Sequence, residues 1–456
     1  MLKQSSLFDR SVFSLRTPVG KISFIALFIP ILFENASTMI LSTVNTAVIS
    51  GFSENAAAAI GTCAPVITMF LLIQNVISMG AGVIISNRIG GGEIDEAQKT
   101  AYSGAAVGIF CSVLLTPLAI FLAPFIMHIQ NLEGEILAVA IGYFRIRSIF
   151  LIFQGLAAYI LTILRCYGHT KYTFYAGVIN NLLNLLLSVL AVNIPKTTPA
   201  EAANIMAIGC GFATIVSLVY VILIFQRKGM SFSKPNSFSA FGAYVRRILH
   251  IGIPSAISSM SFTLSQVVTT SFVAIIGGYA LTAKVIFTQI LSYSYLFSYS
   301  AGSANAILVG MRYGAKQYTE MDKMSKMLTR LTSLINLTIS LSILLFRIPL
   351  VSAFSNNESI FALALAVFAT DILTEQGRAV SHVYEYALRA IGDVWPTLIA
   401  ILLSCWLLGI GLSYICAIEL GVGIVGCWIG LAADECFRGV FTYFRWKKVT
   451  KKLINS

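Results

Sequence analysis

Charge is what this chain lacks: Asp, Glu, Lys and Arg make up 11% of its 456 residues, where a soluble domain carries roughly a quarter. So few charges cannot coat a water-facing surface, which excludes a soluble enzyme and a disordered protein. Enzyme signatures are missing too, with no H-E-x-x-H, no G-x-S-x-G and no G-x-x-x-x-G-K-[ST]. Gly90-Gly91-Gly92 is followed by no Lys-Ser/Thr pair, so ATP hydrolysis is not expected. The four histidines (His128, His169, His250, His382) are scattered and the eight cysteines show no C-x-x-C spacing. Reduced, packed thiols are therefore expected, with no bound cofactor and no metal centre.

Apolar sequence fills the space. Hydrophobic residues reach 57% and mean hydropathy is +0.84. Runs of about 20 apolar residues, enough for a ~30 Å hydrocarbon core, recur along the chain. They predict twelve spans: 22–50, 55–85, 99–122, 137–163, 173–194, 201–225, 248–276, 282–309, 327–349, 360–387, 396–418 and 422–444. The net charge of +12 would suit nucleic acid in a soluble chain, but its distribution points to a lipid bilayer as partner. Segments on one side hold Lys3, Arg10, Arg16, Lys21, Arg88, Arg165, Arg227, Arg247, Arg312, Lys316, Arg389 and the basic run Arg445 to Lys452. The other side holds only Lys196, Lys284 and Arg347. By the positive-inside rule both termini are cytoplasmic. The first run continues past Glu34 to about Ser50 without an early small-residue cleavage site, so it is expected to be retained.

An offset of 224 residues superimposes the two halves without a gap. It aligns Pro30 with Pro254, Arg88-x-Gly90 with Arg312-x-Gly314, and Leu164-Arg165-x-x-Gly168 with Leu388-Arg389-x-x-Gly392. Six spans per half start on the same side, so the repeats are parallel. The expected fold is an all-α polytopic membrane protein, with twelve transmembrane helices in two six-helix bundles related by a pseudo-twofold along the membrane normal. The division is a cytoplasmic segment 1–21, an N-lobe 22–226, a linker 227–246, a C-lobe 247–445 and a basic tail 446–456.

Polar residues inside spans are expensive and therefore informative. Glu34 lies four residues after Pro30 in the first span; it is either a proton carrier or cation ligand, or a carboxyl held protonated by neighbours. Pro30 and Pro254 each remove a helical hydrogen bond at equivalent places, as hinges or as static kinks. In the tenth span Glu375 and Arg378 share a helix face and neutralise each other. Asp371, one turn earlier, shares the pocket of Glu375 and leaves one carboxyl of the two free for H⁺ or Na⁺, and His382 is an interior hydrogen-bonding residue or lines the cleft. Asn45, Asn181 and Asn184 coordinate a cation or tie helices together. Asp434, Glu435 and Arg438 fall within one turn and pair. Arg147 snorkels or answers an acid across a cleft.

In order, Pro30-Ile-Leu-Phe-Glu34, Val44-Asn-Thr46, Asn87-Arg-Ile-Gly90, Leu164-Arg-Cys-Tyr-Gly168, Glu375-x-Gly377-Arg378, Ala387-Leu-Arg-Ala-Ile-Gly-Asp393 and Gly426-Cys-Trp428 resemble the multidrug and toxic compound extrusion (MATE) transporters. The Glu-x-Gly-Arg pattern resembles one prokaryotic branch. The resemblance implies export of organic, often cationic, compounds in exchange for H⁺ or Na⁺, in the bacterial inner (plasma) membrane, by a monomer. It also implies Asp in place of Asn45, Asp in some members in place of Ser188, and a glutamate just after Pro254 in others. All three acids are missing here, which leaves Glu34 as the expected N-lobe coupling carboxylate, with Asp371 and Glu375 as the rival C-lobe site. A lipid-linked-precursor flippase and an intramembrane enzyme are the alternatives.

Overall fold

The computed structural model describes residues 12–455 apart from Asn131 and Asn356; Lys3 and Arg10, counted above, lie outside the described residues. Hydrocarbon offers no partner for free N–H and C=O groups, so apolar runs satisfy them internally as helices. A short hairpin comes first, β1 (Ser14–Thr17) pairing antiparallel with β2 (Gly20–Ser23). It was not foreseen, although Pro18 and Gly20 are turn residues. The Arg312 guanidinium, 2% exposed, anchors its start by donating to Val12 O at 2.7 Å and Ser14 O at 3.1 Å.

The first half then runs α1 (Phe24–Phe52), α2 (Glu54–Gly90), α3 (Ile94–Ile129), α4 (Gly134–Ile149), α5 (Leu151–Cys166), α6 (Thr170–Val192) and α7 (Pro199–Arg227). The second runs α8 (Phe238–Ile276), α9 (Gly278–Gly314), α10 (Tyr318–Leu345), the short α11 (Arg347–Ser352), α12 (Glu358–Ala390), α13 (Trp395–Leu403) and α14 (Ile424–Asn455). Among the described residues nine helices are long and apolar enough to cross a membrane, and the α4–α5 pair supplies a tenth. The long helices α9 and α14 fall outside that set. They are the ones that pack on α12 and carry polar residues into the interior, and with them the chain makes twelve passes.

Two spans depart from a simple rod. The fourth, expected as one run over 137–163, breaks at Phe150 with a 48° bend. No Pro or Gly marks the place. Instead Ser148 Oγ turns back onto Phe144 O at 2.7 Å and the Phe150 N–H goes to Arg147 O, and such a diverted ladder kinks a helix. In the eleventh, α13 widens into π-helical turns over Ser404–Leu412 and Ile415–Glu419, a form concentrated at functional sites.

The chain forms two compact units. One, the N-unit, comprises Ile29–Ile89 and Glu93–Ala256; the other, the C-unit, comprises the chain up to Phe28, Gly90–Gly92 and Ile257 onward. The chain passes from one to the other inside α1 and inside α8, within two residues of Pro30 and of Pro254.

The duplication is visible in the turns. Gly168 and Gly392 take φ of +79° and +81°, and each closes a Schellman end: His169 N–H to Leu164 O at 2.8 Å, Asp393 N–H to Leu388 O at 2.9 Å. The Arg88 and Arg312 helix ends close alike, through Glu93 N–H to Arg88 O and Gln317 N–H to Arg312 O. At the left-handed position the first half has Gly92 (φ +82°) and the second has Lys316 (φ +58°). Lys316→Gly therefore relieves strain and stabilises by about 0.5–1 kcal/mol, read as a higher Tm of the purified protein; an unchanged or lower Tm contradicts this.

Candidate functional site

The C-unit interior holds the densest polar cluster. The apolar core of this unit takes the N-terminal part of α12, including Val367 and Phe368, together with Phe287 and Trp428. Beyond it α12 turns polar every three or four residues, through Asp371, Glu375, Arg378, His382, Glu385 and Arg389. Gly377 lets α14 approach: a Cβ there would lie 2.6 Å from the Glu435 carbonyl carbon. That closeness brings the acids of α14 to the arginine of α12.

Arg378 donates to Glu375 Oε1 at 2.7 Å and to Glu435 Oε1 at 3.2 Å. Arg438 binds Asp434 through two nitrogens at 3.0 and 2.6 Å and reaches Glu435 at 2.9 Å. Ser381 Oγ donates to Glu435 Oε2 at 3.3 Å, Asn336 Nδ2 to Glu375 Oε2 at 3.1 Å, and the Cys405 thiol approaches Asp434 at 3.8 Å. Each guanidinium also lies over an aromatic ring, Arg378 over Tyr295 and Arg438 over Phe262, both at 5.2 Å. Three carboxylates thus share two arginines in full.

Asp371 is the fourth carboxylate and has no such partner. It is 2% exposed, and its Oδ2 has no hydrogen-bond partner among the described residues. The antiparallel register of α10 against α12 shows what faces it. Thr332 bonds Ala379 O and, four residues along each helix, Asn336 bonds Glu375, so the next step sets Ser340 opposite Asp371. Ser340 Oγ, Thr374 Oγ1 and Asn336 Oδ1 are buried oxygens that likewise lack a partner. Four orphaned oxygens on two adjoining helix faces, one of them a carboxylate, form a donor set of the kind a hard cation takes, and a protonated Asp371 suits the same neighbours. Further along α12, His382 Nδ1 lies 3.2 Å from Ser298 Oγ, and Arg389 pairs with Glu385 at 2.8 Å.

In the N-unit, Glu34 is an ion-paired acid: Arg165 Nη2 donates to its Oε1 at 2.5 Å and Thr173 Oγ1 to its Oε2 at 3.2 Å. Gly177 makes room for the side chain, since a Cβ there would stand 3.2 Å from Glu34 Cγ. Asn181 Nδ2 donates to Thr38 Oγ1 at 3.1 Å, one turn beyond Glu34. Asn45 and Asn184 form no hydrogen bond with Glu34 or Asn181 among the described residues, and the Asn45 Oδ1 is buried without a partner. Arg147 is 7% exposed, with Nη2 3.4 Å from Gln154 Oε1 and Nη1 unpartnered. Pro30 and Pro254 lie inside unbroken helices.

Sequence reasoning missed Arg165 as the partner of Glu34, 131 positions away. The signal was present, because Arg165 belongs to the duplicated Leu-Arg-x-x-Gly turn. It also missed the bridging of Glu435 between two arginines and the roles of Asn336 and Ser340, for which no local pattern exists.

The chain is thus polytopic, and its C-unit helices bury one acid more than the arginines in contact with them pair. The MatE family profile matches residues 30–190 and 254–415, two segments whose starts are offset by the same 224 residues as the repeat, and the chain belongs to the MatE family. Members of this family are transporters rather than enzymes, and they move small molecules across membranes. The "uncharacterized transporter YisQ" of Bacillus subtilis is 29% identical over 437 residues, covering 95% of this chain and 96% of that protein. The "probable multidrug resistance protein NorM" of Thermotoga maritima is 25% identical over 458 residues, covering 97% of each. A solved "outward-facing conformation of a multidrug resistance MATE family transporter" superimposes with TM-score 0.87 at 17% identity, covering 98% of this chain and 99% of that one. A MATE structure "in the bent conformation" gives TM-score 0.84 at 18% identity, covering 95% and 96%. These structures establish the twelve-helix, all-α fold.

Proposed function

We propose that the protein exports organic compounds, cationic or amphipathic, in exchange for H⁺ or Na⁺ by alternating access, as a monomer in the bacterial plasma membrane with both termini cytoplasmic. The observation that carries the ion coupling is Asp371, a buried carboxyl left over after its three neighbours share two arginines. An uncompensated charge in that position is costly. Taking up a proton or a Na⁺ removes the cost, and losing it restores the cost, so occupancy of this one group biases the balance between two conformations. Asp371 and Glu375 are the coupling pair on this reading; Glu375 keeps its arginine throughout.

Glu34 takes a different part. Its carboxylate is neutralised by Arg165, and its place four residues past Pro30 makes the pair a tie that holds α1 to α5 within the N-unit, just after the chain enters that unit. Pro30 and Pro254 are the hinge positions, and support comes from the change of unit within two residues of each. Relatives named as probable multidrug resistance proteins, and the solved MATE in a bent conformation, agree with this account without extending it to this chain's own substrate.

Reconstitution into vesicles with a H⁺ or a Na⁺ gradient imposed separately, and labelled organic cations inside, tests the function. Efflux above the no-gradient control is expected with one of the two ions; none with either ion contradicts the exchange. In the same vesicles Glu34→Gln strands Arg165, whose side chain is 33% exposed, and solvent screening holds the loss to about 1–2 kcal/mol of stability. Gradient-driven exchange is expected to persist in Glu34→Gln, and its disappearance would move the coupling site to the N-unit.

A further inference from the structure

The two copies of the repeat part company at one place, and a cavity opens there. In the first half α3 runs unbroken from Ile94 to Ile129 and α4 starts at Gly134. Adding 224 to the two starts gives Tyr318 and Glu358, where α10 and α12 begin, so the stretches align without a gap. The second copy nevertheless breaks: α10 stops at Leu345, and the six-residue α11 takes over from Arg347 to Ser352. The repeat pairs Arg347 with Ala123, which is fully buried in α3. What packs inside one copy as an alanine is a half-buried arginine at a helix break in the other.

Between α11 and α12 lies a cavity of about 400 Å³, lined by Arg347, Ile348, Phe361, Ala362 and Leu365, a volume within the range of small-ligand sites. Four of the five walls are apolar, and Ile348 and Leu365 are more than half exposed, as are Leu345 and Phe346 at the break. Exposed apolar side chains at the ends of membrane-crossing helices are covered by lipid. Leu365 is seven residues past the start of α12, so the cavity reaches about 10 Å down that helix. The fifth wall is charged. Arg347 donates through Nη1 to Leu344 O at 3.2 Å, and no carboxylate among the described residues pairs with it; Glu358, the nearest acid along the chain, is exposed and forms no ion pair with it. The site also stands at the end of α10 and α12 remote from the Arg312 and Arg389 turns, where cations are scarce. A cation at the rim of an apolar slot complements an amphiphile with an anionic head and a hydrocarbon tail. It repels the organic cations of the proposed export function, so the cavity is no part of their route.

We propose that the cavity between α11 and α12 binds one anionic phospholipid, with the phosphate on Arg347 and an acyl chain against Ile348, Phe361 and Leu365. A guanidinium presents parallel N–H donors that match two phosphate oxygens, and the chain takes the exposed apolar walls out of contact with anything polar. With both termini cytoplasmic, as proposed above, the lipid belongs to the outer leaflet. The site itself does not depend on that orientation or on transport, and binding to the purified protein tests it separately from both.

The probe is phosphatidylglycerol carrying a diazirine in one acyl chain, incubated with the purified protein in detergent, irradiated, and located by peptide mass spectrometry. Labelling of the segment 347–365 is expected. Unlabelled phosphatidylglycerol should compete, and phosphatidylcholine with the same chains should need at least about tenfold more, because its ammonium offsets the phosphate charge and one charge-assisted contact is worth about that factor. Equal competition by the two lipids, or no label in the segment, overturns the proposal. The free headgroup, sn-glycerol 3-phosphate, should not compete at the concentration of the lipid; competition would make the ligand a soluble phosphate ester and overturn the assignment to a lipid. Arg347→Gln should lose the preference for phosphatidylglycerol, and retention of that preference overturns the role of Arg347. Ala362→Trp keeps the arginine and fills the cavity, so labelling is expected to fall at least about tenfold. Ala369→Trp, two turns deeper on α12 and also exposed, should keep it. Full labelling in Ala362→Trp, or equal loss in both variants, overturns the site.

Discussion

Asp371→Asn leaves the protein folded and able to exchange labelled for unlabelled substrate, yet abolishes accumulation against a gradient. Asn fills the same volume and keeps a polar group beside Ser340, Thr374 and Asn336, but it neither binds a proton nor offers a negative charge to Na⁺. A tenfold ion gradient is worth about 1.4 kcal/mol, so one-for-one exchange builds a substrate ratio of roughly ten. Asp371→Asn is expected to bring that ratio to about one, while substrate-for-substrate counterflow stays within about twofold of the wild type, because a neutral side chain no longer penalises the empty carrier. Vesicle accumulation and counterflow, measured side by side, check this. Loss of both would indicate a collapsed site, and retention of both would remove Asp371 from coupling. Removing a buried carboxylate that no arginine contacts also predicts equal or greater thermal stability.

The second large effect falls on the neighbour. Arg378→Met strands Glu375, which is fully buried, and takes one of two guanidinium partners from Glu435. Breaking a buried pair from one side costs about 3–5 kcal/mol, because the remaining charge is left without compensation. Tm is expected to fall steeply, or the protein not to survive extraction. Adding Glu375→Gln to Arg378→Met removes the stranded charge and should recover most of the loss, since Arg438 still holds Glu435 and Asp434. Thermal unfolding of the single and double variants measures the coupling directly. A double variant no more stable than Arg378→Met alone would mean that Arg378 acts through packing on Tyr295 rather than through charge.

The two sites differ in how much of them the sequence made legible, and the reason is geometric. Pairs within one helix follow from its period: Glu375 with Arg378, and Arg438 with Asp434 and Glu435, were expected at three or four residues and are found so. The helices themselves follow from apolar length, and the duplicated turns from their glycines. What crosses between helices depends on register and rotation, which no local pattern encodes. Glu34 therefore looked solitary until Arg165 was placed beside it, and Ser340 carried no signal until Thr332 and Asn336 fixed the alignment of α10 on α12. The break at Phe150 stayed hidden because a serine hydroxyl, rather than Pro or Gly, diverts the backbone.

Whether Asp371 is the group that gives up its cation when substrate binds is the point on which the account turns. Purified protein in weakly buffered detergent solution, loaded in turn with protons and with radioactive Na⁺, reports the cation displaced on adding a saturating transported substrate. The account requires displacement in the wild type and in Glu34→Gln, and none in Asp371→Asn. Displacement that survives Asp371→Asn but vanishes in Glu34→Gln would contradict it.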